Sequence, residues 1–237
     1  MARNRSNKPR VFCIGWHKTG TSTMGMALLK LGYTVLGARL DTAEQLLAKN
    51  KKAVLQLAGD FDALQDVPWA ALFQDLDEAY PGSKFILTVR DEMAWLNSAS
   101  KHFKDSHILL HEWLYKNGVL RGNEDLYLER YRRHYREVCN YFEGRDDLLV
   151  MDFSAGDSWE KLCTFLDEPI PQGAFPHANK GKHNYNWIDS VKFWLRRLVP
   201  KAIRRKRVEL LEKMGLHSGR NQFNNFHEHR KWREENK

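Results

Sequence analysis

The stretch Val11-Phe12-Cys13-Ile14-Gly15-Trp16-His17-Lys18-Thr19-Gly20-Thr21-Ser22-Thr23-Met24-Gly25-Met26-Ala27-Leu28-Leu29-Lys30-Leu31 decides how the rest of the chain is read. Its first four residues are an apolar run of the length of a buried strand, and Met24 to Leu31 reads as a helix. Between them a loop bounded by Gly15 and Gly20 crowds Lys18, Thr19, Thr21, Ser22 and Thr23 into one turn. A strand that passes through such a loop into a helix aims backbone N–H groups and the positive end of a helix dipole at one place, which makes a site for an anion.

The glycine spacing is that of a nucleoside triphosphate loop, but such a loop carries Lys directly after its second glycine, and here that residue is Thr21. The lysine is Lys18, inside the loop. A bound triphosphate would lack its usual lysine. Lys18 suits instead a ligand whose reactive bridging oxygen lies beside the loop, with N–H groups from Gly20 to Thr23 holding a 5′-phosphate.

Outward from this loop, apolar runs alternate with helical patterns as in βαβ units. Strands are expected at Tyr33–Leu36, Phe61–Asp66, Lys84–Arg90 and Leu148–Phe153. Helices are expected over Ala43–Ala58 with a break near Asn50, from Trp69 to Tyr80 after Pro68, from Asp91 to Phe103, and over Asp157–Leu166. Leu128, Tyr131, Tyr135, Val138 and Phe142 share one face of a further helix. Lys104–Arg121, with His107, His111, Trp113 and Tyr115, reads as an insertion over one end of the sheet, on the acceptor side. The expected fold is a three-layer α/β P-loop fold, its central, mainly parallel sheet of four to five strands flanked by helices.

The chain has 237 residues, long enough for one sizeable α/β domain, with 42% hydrophobic residues and a net charge of +8. All of that charge lies in 187–237, where 14 Lys/Arg face 6 Asp/Glu; residues 1–186 are neutral. A neutral body argues against a nucleic-acid surface on the domain that carries the loop. We therefore expect a domain over 1–186 and a basic, amphipathic helical extension over 187–237. No run approaches the ~18 apolar residues of a membrane span. The basic N-terminus has no apolar h-region behind it, and the three cysteines share no motif spacing, so a reducing, cytoplasmic setting is expected. Peripheral membrane contact through the extension is the alternative. No metal site is expected, since His217, His227 and His229 lack ligand-like companions.

Gly15 to Thr23 resembles the 5′-phosphosulfate loop of sulfotransferases that use 3′-phosphoadenylyl sulfate (PAPS), whose core is Lys-Thr-Gly-Thr-Thr/Ser. A second element of that family is a strand ending in Arg with a Ser eight residues on, and both hold the donor's 3′-phosphate. Here these are Arg90 and Ser98. Asp66-Val67-Pro68-Trp69, Tyr80-Pro81-Gly82-Ser83-Lys84, Trp95, Asp147–Phe153 with Trp159, and Phe175-Pro176-His177-Ala178-Asn179 resemble the bacterial-type branch, so that the likeness spans about 10–186. The resemblance implies a PAPS-dependent sulfotransferase whose donor contacts come from Gly15, Lys18, Thr19, Gly20, Thr21, Ser22, Thr23, Arg90 and Ser98. Lys180-Gly181-Lys182 is a partial match to a basic segment on the 3′-phosphate and adenine. The product would be 3′-phosphoadenosine 5′-phosphate, and no metal is implied.

Lys18 is expected to stabilise the leaving phosphate. Cytosolic family members supply the base from a His-Leu-Pro segment, and this chain has Asp66-Val67-Pro68 in that place. Asp66 is therefore the candidate base, with His17, Asp62 and His102 as competitors. The acceptor is expected to be the hydroxyl or amine of a small molecule or glycan. Two other readings stay open: a P-loop kinase or NTPase with an atypical loop, and a non-catalytic protein acting on a membrane or partner through its basic tail.

Overall fold

The computed structural model describes residues 8–177. Lys180, Gly181 and the extension over 187–237 lie outside the described residues.

Five strands form one sheet: β1 (Val11–Cys13), β2 (Val35–Leu36), β3 (Ala63–Gln65), β4 (Lys84–Thr88) and β5 (Leu148–Met151). Their order is β2-β3-β1-β4-β5 and every pairing is parallel. Helices α1 (Thr21–Lys30), α2 (Ala43–Leu47), α3 (Lys51–Leu55), α4 (Phe73–Ala79), α5 (Glu92–Phe103), α6 (Leu109–Tyr115), α7 (Glu124–Tyr141) and α8 (Trp159–Leu166) complete a three-layer α/β fold. The expectation of a mainly parallel sheet is met by one that is parallel throughout.

β1 explains the order. Val11, Phe12 and Cys13 are all fully buried, as a strand covered on both faces requires. From β1 the chain crosses to β2 and returns through β3 to β1's flank; it then passes over to β4 and β5 on the other side. β1 thus lies where the strand order reverses, the position at which open parallel sheets bind ligands beyond their carboxyl ends. Because all strands run one way, the residues that follow β1, β3, β4 and β5 emerge at the same edge: Ile14-Gly15, Asp66, Val89-Arg90 and Asp152-Phe153.

Local signals hold at several boundaries. Asn50 caps α3 by accepting from Ala53 N–H at 3.3 Å, which is the break expected in the 43–58 pattern. Asp91 caps α5 by accepting from Ala94 N–H at 2.8 Å. The helix after Pro68 begins as a 3-10 turn over Trp69–Leu72 before α4 takes over. The inner face expected of α7 is found at Leu128, Tyr131, Val138 and Phe142, all buried, and departs at Tyr135 alone. Its buried residues are Tyr127, Leu128, Tyr131, His134 and Val138, while Tyr135 is 43% exposed. His134 turns inward because its Nε2 bonds the Ile14 carbonyl at 2.7 Å, just ahead of the loop.

Candidate active site

The loop after β1 is built by close approach. A Cβ on Gly15 would overlap Thr88 Oγ1 at the end of β4, so only glycine fits there. Gly20, with φ of 102°, would bring a Cβ within 2.5 Å of the Phe153 ring beyond β5. Between them Lys18 holds φ of 67°, a left-handed conformation that costs a non-glycine residue roughly 1–2 kcal/mol. Thr19 supports the turn: its Oγ1 donates to the Trp16 carbonyl at 2.6 Å and lies 2.6 Å from Thr88 Oγ1. The loop is fastened to the end of β4 by this pair of hydroxyls.

α1 opens at Thr21 with no side-chain cap and no acidic residue in its first turn. The dipole favours an anion at that terminus. Thr21, however, is already engaged through its side chain. Its Oγ1 donates to Asp66 Oδ2 at 2.6 Å, which ties the residue after β3 to the start of α1. Asp66 has φ of 72°, takes the Val67 N–H on Oδ1 at 2.7 Å, and its carbonyl accepts from Ala70 N–H at 3.0 Å. The carboxylate is thus oriented by its own turn and by the loop helix. Burial raises its pKa; the bonds from Thr21 and Val67 and the charge of Lys18 pull less strongly the other way. Lys18 is shifted toward it: burial lowers its pKa, Asp66 opposes that, and Arg90 adds to it.

Arg90 is exposed beyond β4, and its Nη1 donates to the Lys18 carbonyl at 3.2 Å. The expected arginine and loop lysine therefore meet in one site. Ser98 is half-buried on α5, and Ser22 is half-buried in the first turn of α1.

Of the competing bases, Asp62 lies away from the loop and His17 is buried. Asp62 precedes β3, at the edge of the sheet away from the loop, where it accepts from Thr34 N–H at 3.0 Å and Thr34 Oγ1 at 2.7 Å. His102 is half-buried near the end of α5, beside Phe103. His17 is 4% exposed and its ring packs among Trp95, Phe103, His111 and Tyr115. Burial lowers its pKa well below the ordinary histidine value, with His111 and Lys18 adding to the shift, so the ring is held neutral. Its Nε2 bonds the Tyr115 hydroxyl, which also accepts from Trp16 Nε1 at 2.7 Å. The tryptophan can only donate, the bond between His17 and Tyr115 can carry its hydrogen from either end, and His17 Nδ1 is a buried atom without a hydrogen-bond partner.

The insertion behaves the same way. Its chain closes on itself through Ile108 N–H to the Gly118 carbonyl at 2.9 Å, and α6 packs on α2 and α7. His111 and Tyr115 face the interior, with Tyr115 stacked on Tyr127 at 3.7 Å. Sequence reasoning missed Tyr115, Tyr131 and His134 as supports of the site, since a polar group that serves a backbone far away leaves no local pattern. Among the described residues no group of His, Cys, Asp or Glu is arranged to hold a metal ion, and no helix is long and apolar enough to cross a membrane.

Comparison with known proteins identifies a family. The sulfotransferase domain family matches the chain over residues 10–117 and 106–184. Ava biosynthesis cluster protein M of Aspergillus versicolor is 28% identical over 232 residues, an alignment that covers 79% of this chain and 86% of that protein. The match runs from the residue before β1 to beyond α8 and includes the loop, Asp66, Arg90 and Ser98, and the chain belongs to the sulfotransferase domain family.

Proposed function

We propose that this chain moves a sulfuryl group from PAPS to a hydroxyl or amine, with Lys18 and Asp66 as the catalytic residues. The observation that carries the reading is the convergence, at one sheet edge, of an uncapped helix start, two cations and one carboxylate. The residues fit the donor: α1's first turn and Lys18 suit a 5′-phosphosulfate, and Arg90, with Ser98 on the next helix, suits a separate 3′-phosphate. When bound, the donor supplies an activated sulfuryl group with a phosphate as its leaving group.

Each residue has a distinct task. Asp66, ionised, takes the acceptor's proton as the new S–O or S–N bond forms. With the donor bound, Lys18 would neutralise the charge that builds on the phosphate as the old S–O bond breaks and the phosphate keeps the electron pair. Arg90 orients the donor through a planar, permanently charged fork. Thr21 keeps Asp66 turned toward the loop. The name of the Aspergillus relative refers to a biosynthesis cluster, which supports a small-molecule acceptor over a glycan.

Titration calorimetry with adenosine 3′,5′-bisphosphate tests the donor site. Wild type should bind in the presence of EDTA, and Lys18→Ala and Arg90→Ala should each weaken binding by about 10- to 100-fold, the worth of charge-assisted hydrogen bonds. Equal binding by all three proteins, or binding of ATP that requires Mg²⁺ in place of the bisphosphate, would overturn the reading in favour of a nucleotide kinase or NTPase.

A further inference from the structure

The last sheet bond of β4 on this side is Val89 N–H to the Met151 carbonyl at 2.9 Å. One residue on, the backbone of Arg90 has left the ladder, and both its polar groups need partners elsewhere. A single side chain supplies both. The Tyr131 hydroxyl, from the middle of α7, donates to the Arg90 carbonyl at 2.7 Å and accepts from the Arg90 N–H at 3.2 Å. Tyr131 is 6% exposed, and its ring lies flat on Trp95, 4.4 Å between centroids and 11° between planes. Trp95 is fully buried and donates from Nε1 to the His17 carbonyl at 2.8 Å, next to Lys18. Two stacked rings thus hold the two halves of the site, one on Arg90 and the other on the loop.

Building on the donor reading above, we propose that Tyr131 is a positioning residue for specificity: by clamping the Arg90 peptide it sets where the guanidinium meets the 3′-phosphate. The phenol does not touch the ligand. An arginine whose peptide is loose spreads its charge over many positions and loses the directed bonds that distinguish a phosphate from solvent. Lys18 and the first turn of α1 are held by other contacts, Thr19 to Thr88 and Trp95 to His17 among them. Loss of the phenol should therefore strike recognition of the 3′-phosphate and spare that of the 5′-phosphate.

The experiment compares Kd for adenosine 3′,5′-bisphosphate and adenosine 5′-phosphate in wild type, Tyr131→Phe and Trp95→Phe. Wild type should prefer the bisphosphate by about 30-fold or more, in line with charge-assisted bonds to one phosphate. Tyr131→Phe keeps the stacked ring and should reduce that preference to within about 3-fold while its Kd for the 5′-phosphate changes little. Trp95→Phe loosens the loop side, so both affinities should fall together and the ratio should persist. Should Tyr131→Phe fail to fold, Tyr131→Met, which also removes the hydroxyl and still fills the site, carries the same test. An unchanged ratio in the Tyr131 variants overturns the inference. A wild-type protein without preference overturns the donor reading on which it rests.

Discussion

Asp66, the proposed base, holds an unusual conformation, with φ of 72°, one oxygen on its own following N–H and the other receiving Thr21. Its pKa is raised by burial and that of Lys18 is lowered by burial. In the proposed roles of base and leaving-group stabiliser, the two should define a bell-shaped kcat/KM profile whose limbs are both drawn inward. The acidic limb should lie above the ordinary aspartate value of ~3.9 and the basic limb below the ordinary lysine value of ~10.4. Asp66→Asn should remove the acidic limb and lower kcat by about 10²- to 10⁴-fold. Stability should move differently. With its pKa raised on folding, Asp66 favours the folded chain below its unfolded value, and that contribution is lost as pH rises through the folded value. At neutral pH the ionised carboxylate is therefore a cost. The isosteric amide still accepts from Val67, so the thermal midpoint of Asp66→Asn at pH 7 should equal or exceed that of wild type. An unchanged acidic limb in this variant would move the base elsewhere, with His102 next to examine.

At the scale of elements, α6 holds the loop through Tyr115. Trp16 Nε1 and His17 Nε2 both end on the Tyr115 hydroxyl, and Tyr115 stacks on Tyr127 of α7. Tyr115→Phe keeps the stack and strips both groups of their partner, at about 1–3 kcal/mol for each buried group left unpaired. Urea unfolding should report a loss of about 2–6 kcal/mol; a loss below about 0.5 kcal/mol, the effect of an ordinary surface change, would mean that water replaces the phenol. The same contacts mark the limit of what the sequence reveals. Strand, loop and helix around Gly15–Thr23 are legible because apolar runs and glycines are local signals, and Asp66 and Arg90 follow from standing at strand ends. Asp62 could be set aside only once β3 was seen to begin at Ala63. The inward face of α7 is legible at Leu128, Tyr131, Val138 and Phe142 and fails at one position, where apolar periodicity favours Tyr135 while a long-range bond to Ile14 buries His134. His17 stands in the ligand loop by sequence, yet the aromatic side chains of α5 and α6 take its ring. Buried polar side chains that serve distant backbone are specified by tertiary structure alone.

For the molecule as a whole, the buried histidines around the loop set its tolerance of acid. His17, His111 and His134 are 4%, 1% and 2% exposed. Burial drives all three pKa values down, for His111 and His134 to about 3. The unfolded chain takes up these protons near pH 6.5 and the folded chain does not, so stability is lost as pH falls below that value. Each histidine withdraws about 1.4 kcal/mol by pH 5.5, and the three together about 4 kcal/mol, against the 5–15 kcal/mol typical of a domain. Asp66 runs the other way, but its gain comes only as the pH falls through its own folded value. The three rings are also clustered: His134 bonds the carbonyl that precedes the loop, His17 lies within the loop, and His111 packs on His17 and Tyr115. Acid should therefore release the donor loop along with the fold. Urea midpoints at pH 7.5, 6.5 and 5.5 should fall steeply over the last interval. His134→Gln, whose amide can still donate to Ile14, should remove about a third of that fall. A stability that stays level from pH 7.5 to 5.5 would show that these rings accept protons in the folded protein. The unpartnered Nδ1 atoms of His17 and His134 would then have found water or carboxylate partners that the packing around Trp16 excludes.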